Sequence, residues 1–168
     1  MSRKTFEQYV HTYSGMVFRI AFNYFANSQD AEDVLQEVFL KLYQKNPVIK
    51  DPEQLKAWLI TVTMNHCKSI LRSPGRKRKR EIWDFQWEQL QKTPDISDAI
   101  VKKDALYQGV MALPKKYRVV VYLYYYEDYS IKDIGKLLHR RETTIQTQLM
   151  RAREKLRNYL EKEKDRKS

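Results

Sequence analysis

The chain is expected to be all-α: two small helical domains joined by a flexible basic linker, the second containing a helix–turn–helix. Three observations lead there. Only four Gly and five Pro occur in 168 residues, so helix breakers are scarce. Apolar residues recur three and four apart in one segment after another, as in amphipathic helices and not in strands. That rhythm stops after residue 73, where five basic residues in a row follow a Ser-Pro-Gly break. The expected division is a first domain over 1–73, a linker over 74–97, a second domain over 98–161 and a frayed tail over 162–168.

The first helix is expected over residues 5–25, with Phe6, Tyr9, Val10, Tyr13, Val17, Ile20, Ala21 and Tyr24 as one apolar stripe. Asn27 and Ser28 cap a second helix whose first turn is rich in acid, which suits the positive end of a helix. Its buried stripe is Ala31, Val34, Leu35, Val38, Phe39 and Leu42. Asp33, Gln36, Glu37, Lys41 and Lys45 lie on the other side, an acidic and amide surface in a basic protein. That surface is either a solvated helix face or a docking face for a protein partner.

After a loop, Asp51, Pro52 and Gln54 combine an N-cap, a first-turn proline and a capping-box amide. The third helix is expected to bury Leu55, Trp58, Leu59, Val62 and Ile70, with His66 a further candidate. Thr61, Asn65, Lys68, Ser69 and Arg72 progress by three or four and share another face. Hydroxyl, amide and basic groups in a row can hold a phosphate backbone and read an exposed base, or simply face water. Ser73, Pro74 and Gly75 then stop the helix. Arg76, Lys77, Arg78, Lys79 and Arg80 cannot bury themselves and mark a linker with a phosphate contact. Trp83, Phe85 and Trp87 follow among polar residues and are expected to dock, on their own domains or on a partner.

The second domain opens near Asp98 with a helix that ends at Leu113 and Pro114. The next helix is expected over residues 117–126. Ser130 then caps a short helix with Ile131, Ile134, Leu137 and Leu138 inward, and the break falls at His139, Arg140 and Arg141. A final helix starts near Glu142 or Thr143, with Ile145, Leu149, Ala152 and Leu156 inward. Thr144, Gln146, Thr147, Gln148, Met150, Arg151 and Lys155 occupy its other face. Two helices joined by a short turn, with such groups outward, suit a DNA major groove. Gln can pair with adenine, Arg with guanine, and Thr or Met can touch a thymine methyl. The competing reading is an ordinary pair of surface helices.

Composition narrows the choice. The formal net charge of +11 and pI of about 9.6 point to a polyanion, nucleic acid before an anionic membrane surface. No apolar run approaches the roughly 18–20 residues that span a bilayer. The start lacks the apolar core of a secretory signal. A single cysteine, Cys67, precludes an internal disulfide and fits a reducing, cytoplasmic setting. His66 and Cys67 point apart on a helix, and the other histidines are distant, so no metal site is expected and Cys67 is expected to be structural. An enzyme would need a ligand cluster, a nucleophile–base pair or a phosphate loop. The sequence offers no Gly-rich loop, and Asp30, Glu32 and Asp33 are explained as helix-start charges. No cofactor is expected.

Four segments carry a resemblance: AEDVLQEVFLKLY, LKAWLITVTMNHCKSILR, LPKKYRVVVYLYYYEDYSIKDIGKLL and TTIQTQLMRAREKL. Together, and in this order, they resemble a bacterial RNA polymerase sigma factor of the extracytoplasmic-function type. The resemblance covers nearly the whole chain except the linker and tail. It implies a dissociable, non-enzymatic subunit that recognises the promoter −35 element as duplex and captures a melted −10 element. The first domain would bind the clamp helices of the polymerase's largest subunit through Asp33, Gln36, Glu37 and Lys41. The loop from residue 46 to 54, with Lys50, and the face Thr61, Asn65, Lys68, Ser69 and Arg72 would take the −10 strand. The second domain would dock on the polymerase flap. Gln146, Thr147, Met150 and Arg151 fall on the base-reading positions, and Arg140, Arg141, Thr143 and Thr144 where backbone contacts lie. An anti-sigma factor is a further implied partner. The family often has Arg where Thr61 stands, basic residues at Gln146 and Gln148, and Gly at His139. Arg141 occupies an N-cap for which it is poorly suited, consistent with a phosphate contact there. These departures leave the fold alone but carry over no promoter sequence; two glutamines lean toward adenine. The alternative is a stand-alone dimeric helix–turn–helix regulator, which leaves the first domain without a task.

Overall fold

Three side-chain caps start the helices of the N-terminal half. In the computed structural model, which describes residues 1–73 and 105–166, Ser2 Oγ accepts the Thr5 N–H (3.1 Å) and opens α1, Arg3–Phe25. Asn27 Oδ1 accepts from the Asp30 N–H (3.1 Å) and opens α2, Ser28–Lys45. Asp51 Oδ1 accepts from the Gln54 N–H (2.8 Å) and opens α3, Pro52–Arg72. Each such cap satisfies a helix-end donor and is worth about 1 kcal/mol. The first two helices stop where Ala26 and Asn46 turn left-handed, at φ 52° and 41°.

The described residues form two compact units, one built from α1–α3. Its helices pack pairwise around a shared core. Phe6, Val10, Val17, Phe18 and Ile20 meet Val34, Leu35, Val38, Phe39 and Leu42, together with Leu55, Leu59 and Ile60, all at 2% exposure or less. Removing each such side chain from water contributes about 1.5–3 kcal/mol. Phe6 sets its ring edge-on to Phe39 and to Tyr43, at centroid distances of 6.4 and 5.3 Å. The expected stripe of α2 is buried in full.

Two stripes differ from expectation. Helix α1 also buries Met16 and Phe18, because α2 and α3 both pack on it and its apolar face is wider than one row. Helix α3 is rotated: Ile60, Thr63, Met64 and Cys67 are buried, while Trp58, Val62, His66 and Ile70 are only half-buried. Thr63 can join that stripe because its hydroxyl donates to the Leu59 carbonyl at 2.6 Å. That bond satisfies a polar group in the core and hides the stripe from a reading of apolar spacing alone.

The second unit consists of α4 (Ala105–Ala112), α5 (Lys115–Val121), α6 (Ile131–Leu138) and α7 (Glu142–Arg166). Helix α7 packs against the other three. Leu113, Val120, Leu123, Ile134, Ile145, Leu149 and Ala152 fill the core. Helix α4 approaches α7 closely at Gly109, where a Cβ would stand 3.0 Å from Tyr159 Cδ1.

The helix expected over 117–126 begins earlier and ends differently. It starts after Pro114, and past Val121 it widens into a π-helical turn, Tyr122–Tyr126. The Glu127 N–H there reaches back five residues to the Tyr122 carbonyl at 3.3 Å. The wide turn is stitched by side chains: the Tyr122 hydroxyl donates to Glu127 Oε1 at 2.6 Å, and Tyr122 stacks on Tyr126 at 5.4 Å. The tail expected to fray is helical as far as Arg166. Arg166 pairs with Glu163 at 3.4 Å, and Lys164 and Arg166 sit in the last turn, where positive charge suits the helix end. The expected linker residues Arg76–Arg80, Trp83, Phe85 and Trp87, and the expected domain opening at Asp98, lie outside the described residues.

Candidate nucleic-acid interface

The helix–turn–helix is built from α6 and α7. Ser130 Oγ accepts the Asp133 N–H at 3.1 Å and starts α6. His139 ends it in the left-handed region at φ 54°, a conformation that a non-glycine residue adopts at a small energetic cost. The chain then doubles back tightly. The Arg140 N–H bonds to the Gly135 carbonyl at 2.9 Å, and a Cβ on Gly135 would lie 2.8 Å from the Arg140 carbonyl oxygen. Only glycine lets the turn lie this close to the helix. The Arg141 carbonyl accepts the Ile145 N–H at 3.1 Å, so Arg141 holds the N-cap position of α7 with an exposed side chain that cannot cap.

The outward face of α7 brings Thr143, Thr144, Thr147, Met150 and Arg151 together. Met150 is 58% exposed, unusual for so apolar a side chain, and Arg151 is exposed beside it. The Thr147 hydroxyl donates to the Thr143 carbonyl at 2.9 Å, which leaves its methyl group to face a partner. Gln146 and Gln148 are not brought together: two residues apart, they lie about 160° apart around the helix. Gln146 is exposed. Gln148 is half-buried and accepts a hydrogen bond from Arg140 Nη1 at 3.1 Å.

Helical spacing gives no role to Arg153. Its guanidinium donates to the Tyr125 hydroxyl at 2.6 Å and lies 5.7 Å from the ring centroids of both Tyr124 and Tyr125. That hydrogen bond is the main reason its pKa is raised further. The aromatic run YLYYY was the available signal, but a π turn was needed to bring it to α7.

On α3, Asn65, Ser69 and Arg72 are exposed and Thr61 and Lys68 half-buried along one line. Lys50 stands apart, in the loop before the helix, where its N–H donates to Gln54 Oε1 at 2.7 Å. At 1.5 Å per residue, Lys50 and Arg72 are roughly 30 Å apart, so these residues form a track and not a pocket.

On α2, Asp33, Gln36, Glu37 and Lys41 are all half-buried. Glu37 and Lys41 flank the buried stripe and lean toward α3. The Glu37 carboxylate pairs with His66 Nε2, and Lys41 Nζ lies 3.4 Å from His66 Nδ1. A tautomer with its proton on Nε2 satisfies both contacts. Half of the expected docking face is therefore tied to α3 through one histidine, a contact that apolar spacing does not reveal. Cys67 is fully buried in the α3 stripe. Among the described residues, no His, Cys, Asp and Glu group is placed to hold a metal ion, and no helix is long and apolar enough to cross a membrane.

The geometry defines a two-unit helical protein whose second unit is a helix–turn–helix. Comparison with known families is specific. Residues 9–77 match the model of sigma-70 region 2, and residues 103–156 match that of sigma-70 region 4. The chain is 28% identical over 146 residues to the RNA polymerase sigma factor SigV of Bacillus subtilis (strain 168), covering 87% of this chain and 85% of SigV. It is 25% identical to the ECF RNA polymerase sigma factor SigW of the same organism, covering 92% of this chain and 88% of SigW. In fold it is similar to the sigma factor RpoE of Bartonella quintana, solved in complex with the anti-sigma factor NepR, with a TM-score of 0.68, 21% identity and coverage of 94% and 98% of the two chains. CnrH, solved with the cytosolic domain of CnrY, gives a TM-score of 0.62 at 19% identity, with 95% and 90% covered. The chain belongs to the sigma-70 family, in its extracytoplasmic-function group: it is a promoter-directing subunit of RNA polymerase.

Proposed function

We propose that residues 1–73 bind core polymerase and capture the melted −10 strand, and that residues 98–161 dock on the flap and read the −35 element as duplex. Asp33, Gln36, Glu37 and Lys41 meet the clamp helices. Lys50, Thr61, Asn65, Lys68, Ser69 and Arg72 follow the separated strand. Thr143, Thr144, Arg140 and Arg141 hold the duplex backbone, while Gln146, Thr147, Met150 and Arg151 reach base edges. The carrying observation is the exposed outer face of α7, presented by a turn whose backbone Gly135 and Arg140 fix. The protein itself performs no chemistry in this reading; polymerase supplies it. The cytoplasm, where polymerase works, is its place, and an anti-sigma factor is a fitting partner, as NepR is found in complex with RpoE.

Energetically, each base taken out of the stack costs a few kcal/mol. Polymerase binding, phosphate contacts and the captured strand must together exceed that. The free protein should therefore bind duplex DNA weakly and with steep salt dependence. The stand-alone dimeric regulator is not favoured, because it leaves the region 2 match over residues 9–77 without a role. Run-off transcription with core polymerase on a genomic library tests the proposal. Discrete start sites that require the added chain are expected. Absence of any association with core polymerase at low salt would overturn it.

A further inference from the structure

The side chain of Gln148 is already engaged. Its Oε1 accepts from Arg140 Nη1 at 3.1 Å. Arg has only donors, so this bond fixes the amide: the oxygen faces Arg140. A paired contact to adenine needs that same oxygen turned to the base N6 while the amide nitrogen donates to N7. The oxygen has a second lone pair, but Arg140 already sets the amide's orientation, so Gln148 could make that contact only in the orientation Arg140 holds. Its place on the helix agrees, on the flank about 160° from Gln146.

Arg140 is held at both ends. Its backbone N–H bonds to Gly135, its carbonyl lies against the Gly135 Cα, and its guanidinium is held by Gln148. The residue is half-buried, at the turn leading into α7. There a cation faces the phosphates that border a helix in a groove. Holding a long side chain in place before binding removes an ordering penalty that it would otherwise meet on the DNA.

We propose that Gln148 is a positioning residue: it aims Arg140 at a backbone phosphate and reads no base, leaving Gln146 as the one glutamine on α7 that can specify adenine. This rests on the second unit reading the −35 duplex.

The test uses the full chain with core polymerase, on the promoter recovered by run-off selection and a panel carrying every single base-pair change in its −35 element. Gln148→Ala should weaken binding by about 3- to 10-fold on every duplex, with base preferences unchanged. Gln148→Met, equal in length but lacking the carbonyl, should do the same, which separates the hydrogen bond from packing. Arg140→Ala should lower the salt slope by about 0.9, and adding Gln148→Ala to it should change little. Loss of preference at one base pair in Gln148→Ala alone, or multiplying losses in the double variant, would overturn the proposal. In the free chain, nuclear magnetic resonance should show hindered rotation of the Arg140 guanidinium that Gln148→Ala releases. Identical rotation in both proteins would overturn it too. A wild-type holoenzyme that fails to tell the promoter from random DNA would instead defeat the −35 reading, and the resonance comparison would still decide whether Gln148 holds Arg140.

Discussion

The two units present their polar faces in opposite ways. On α2, the charged residues are half-buried, and two of them are tied to a neighbouring helix through His66. On α7, Thr143, Thr144, Gln146, Met150 and Arg151 are exposed, with Met150 more than half so. A face cross-braced by its own domain suits a partner surface that is always the same, such as a protein. A face of exposed side chains on one rigid helix suits a partner whose edges vary from site to site, such as duplex DNA. Charge reversal should injure the first most, and truncation should alter the selectivity of the second.

The sharpest test of that contrast is Asp33→Arg combined with Glu37→Arg. Like-charge placement at an interface costs several kcal/mol, so capture of core polymerase should be lost while circular dichroism still shows a folded protein. Undisturbed co-purification would remove the docking role from α2. Next in size is Gly135→Ala, which forces a methyl group against the Arg140 carbonyl. It should destabilise the second unit by about 1–3 kcal/mol, visible as faster amide exchange in α6 and α7 with no change in α1–α3. Arg151→Ala should weaken −35 binding by about 1–3 kcal/mol, concentrated at one base pair; an even loss across sequences makes Arg151 a phosphate contact. Smallest, Ser130→Ala should cost about 1 kcal/mol of stability through the lost cap of α6, read as a shift in the denaturation midpoint without a change in promoter preference.

Much of this was legible in the residues. Asn27, Asp51 and Ser130 all cap as their positions suggest, and all six stripe residues of α2 are buried, because caps and amphipathic stripes are local and periodic. What stayed hidden depends on partners distant in sequence or on polar atoms in the core. Thr63 lies in the buried stripe of α3 because its hydroxyl bonds its own helix. Glu37 and Lys41 turn inward because His66, far along the chain, meets both, Nε2 donating to Glu37 and Nδ1 accepting from Lys41. Gln148 shares Gln146's chemistry, and helical spacing already puts it on another side, but its bond to Arg140 across the turn shows only in the structure. Gly135 is an unremarkable helical glycine until the returning backbone comes close. The long helical run to Arg166 was obscured by a tail whose charges resemble a solvated end.

The wide turn at Tyr122–Tyr126 has a consequence for how this chain lines up with its kin. Such a turn absorbs one residue more than an ordinary α-turn, as though a tyrosine had been slipped into an otherwise regular helix. Matching by helical phase alone would therefore drift by a single position on one side of it. Deleting one tyrosine could restore the regular winding, but taking out Tyr125 would also free Arg153 from its hydroxyl anchor.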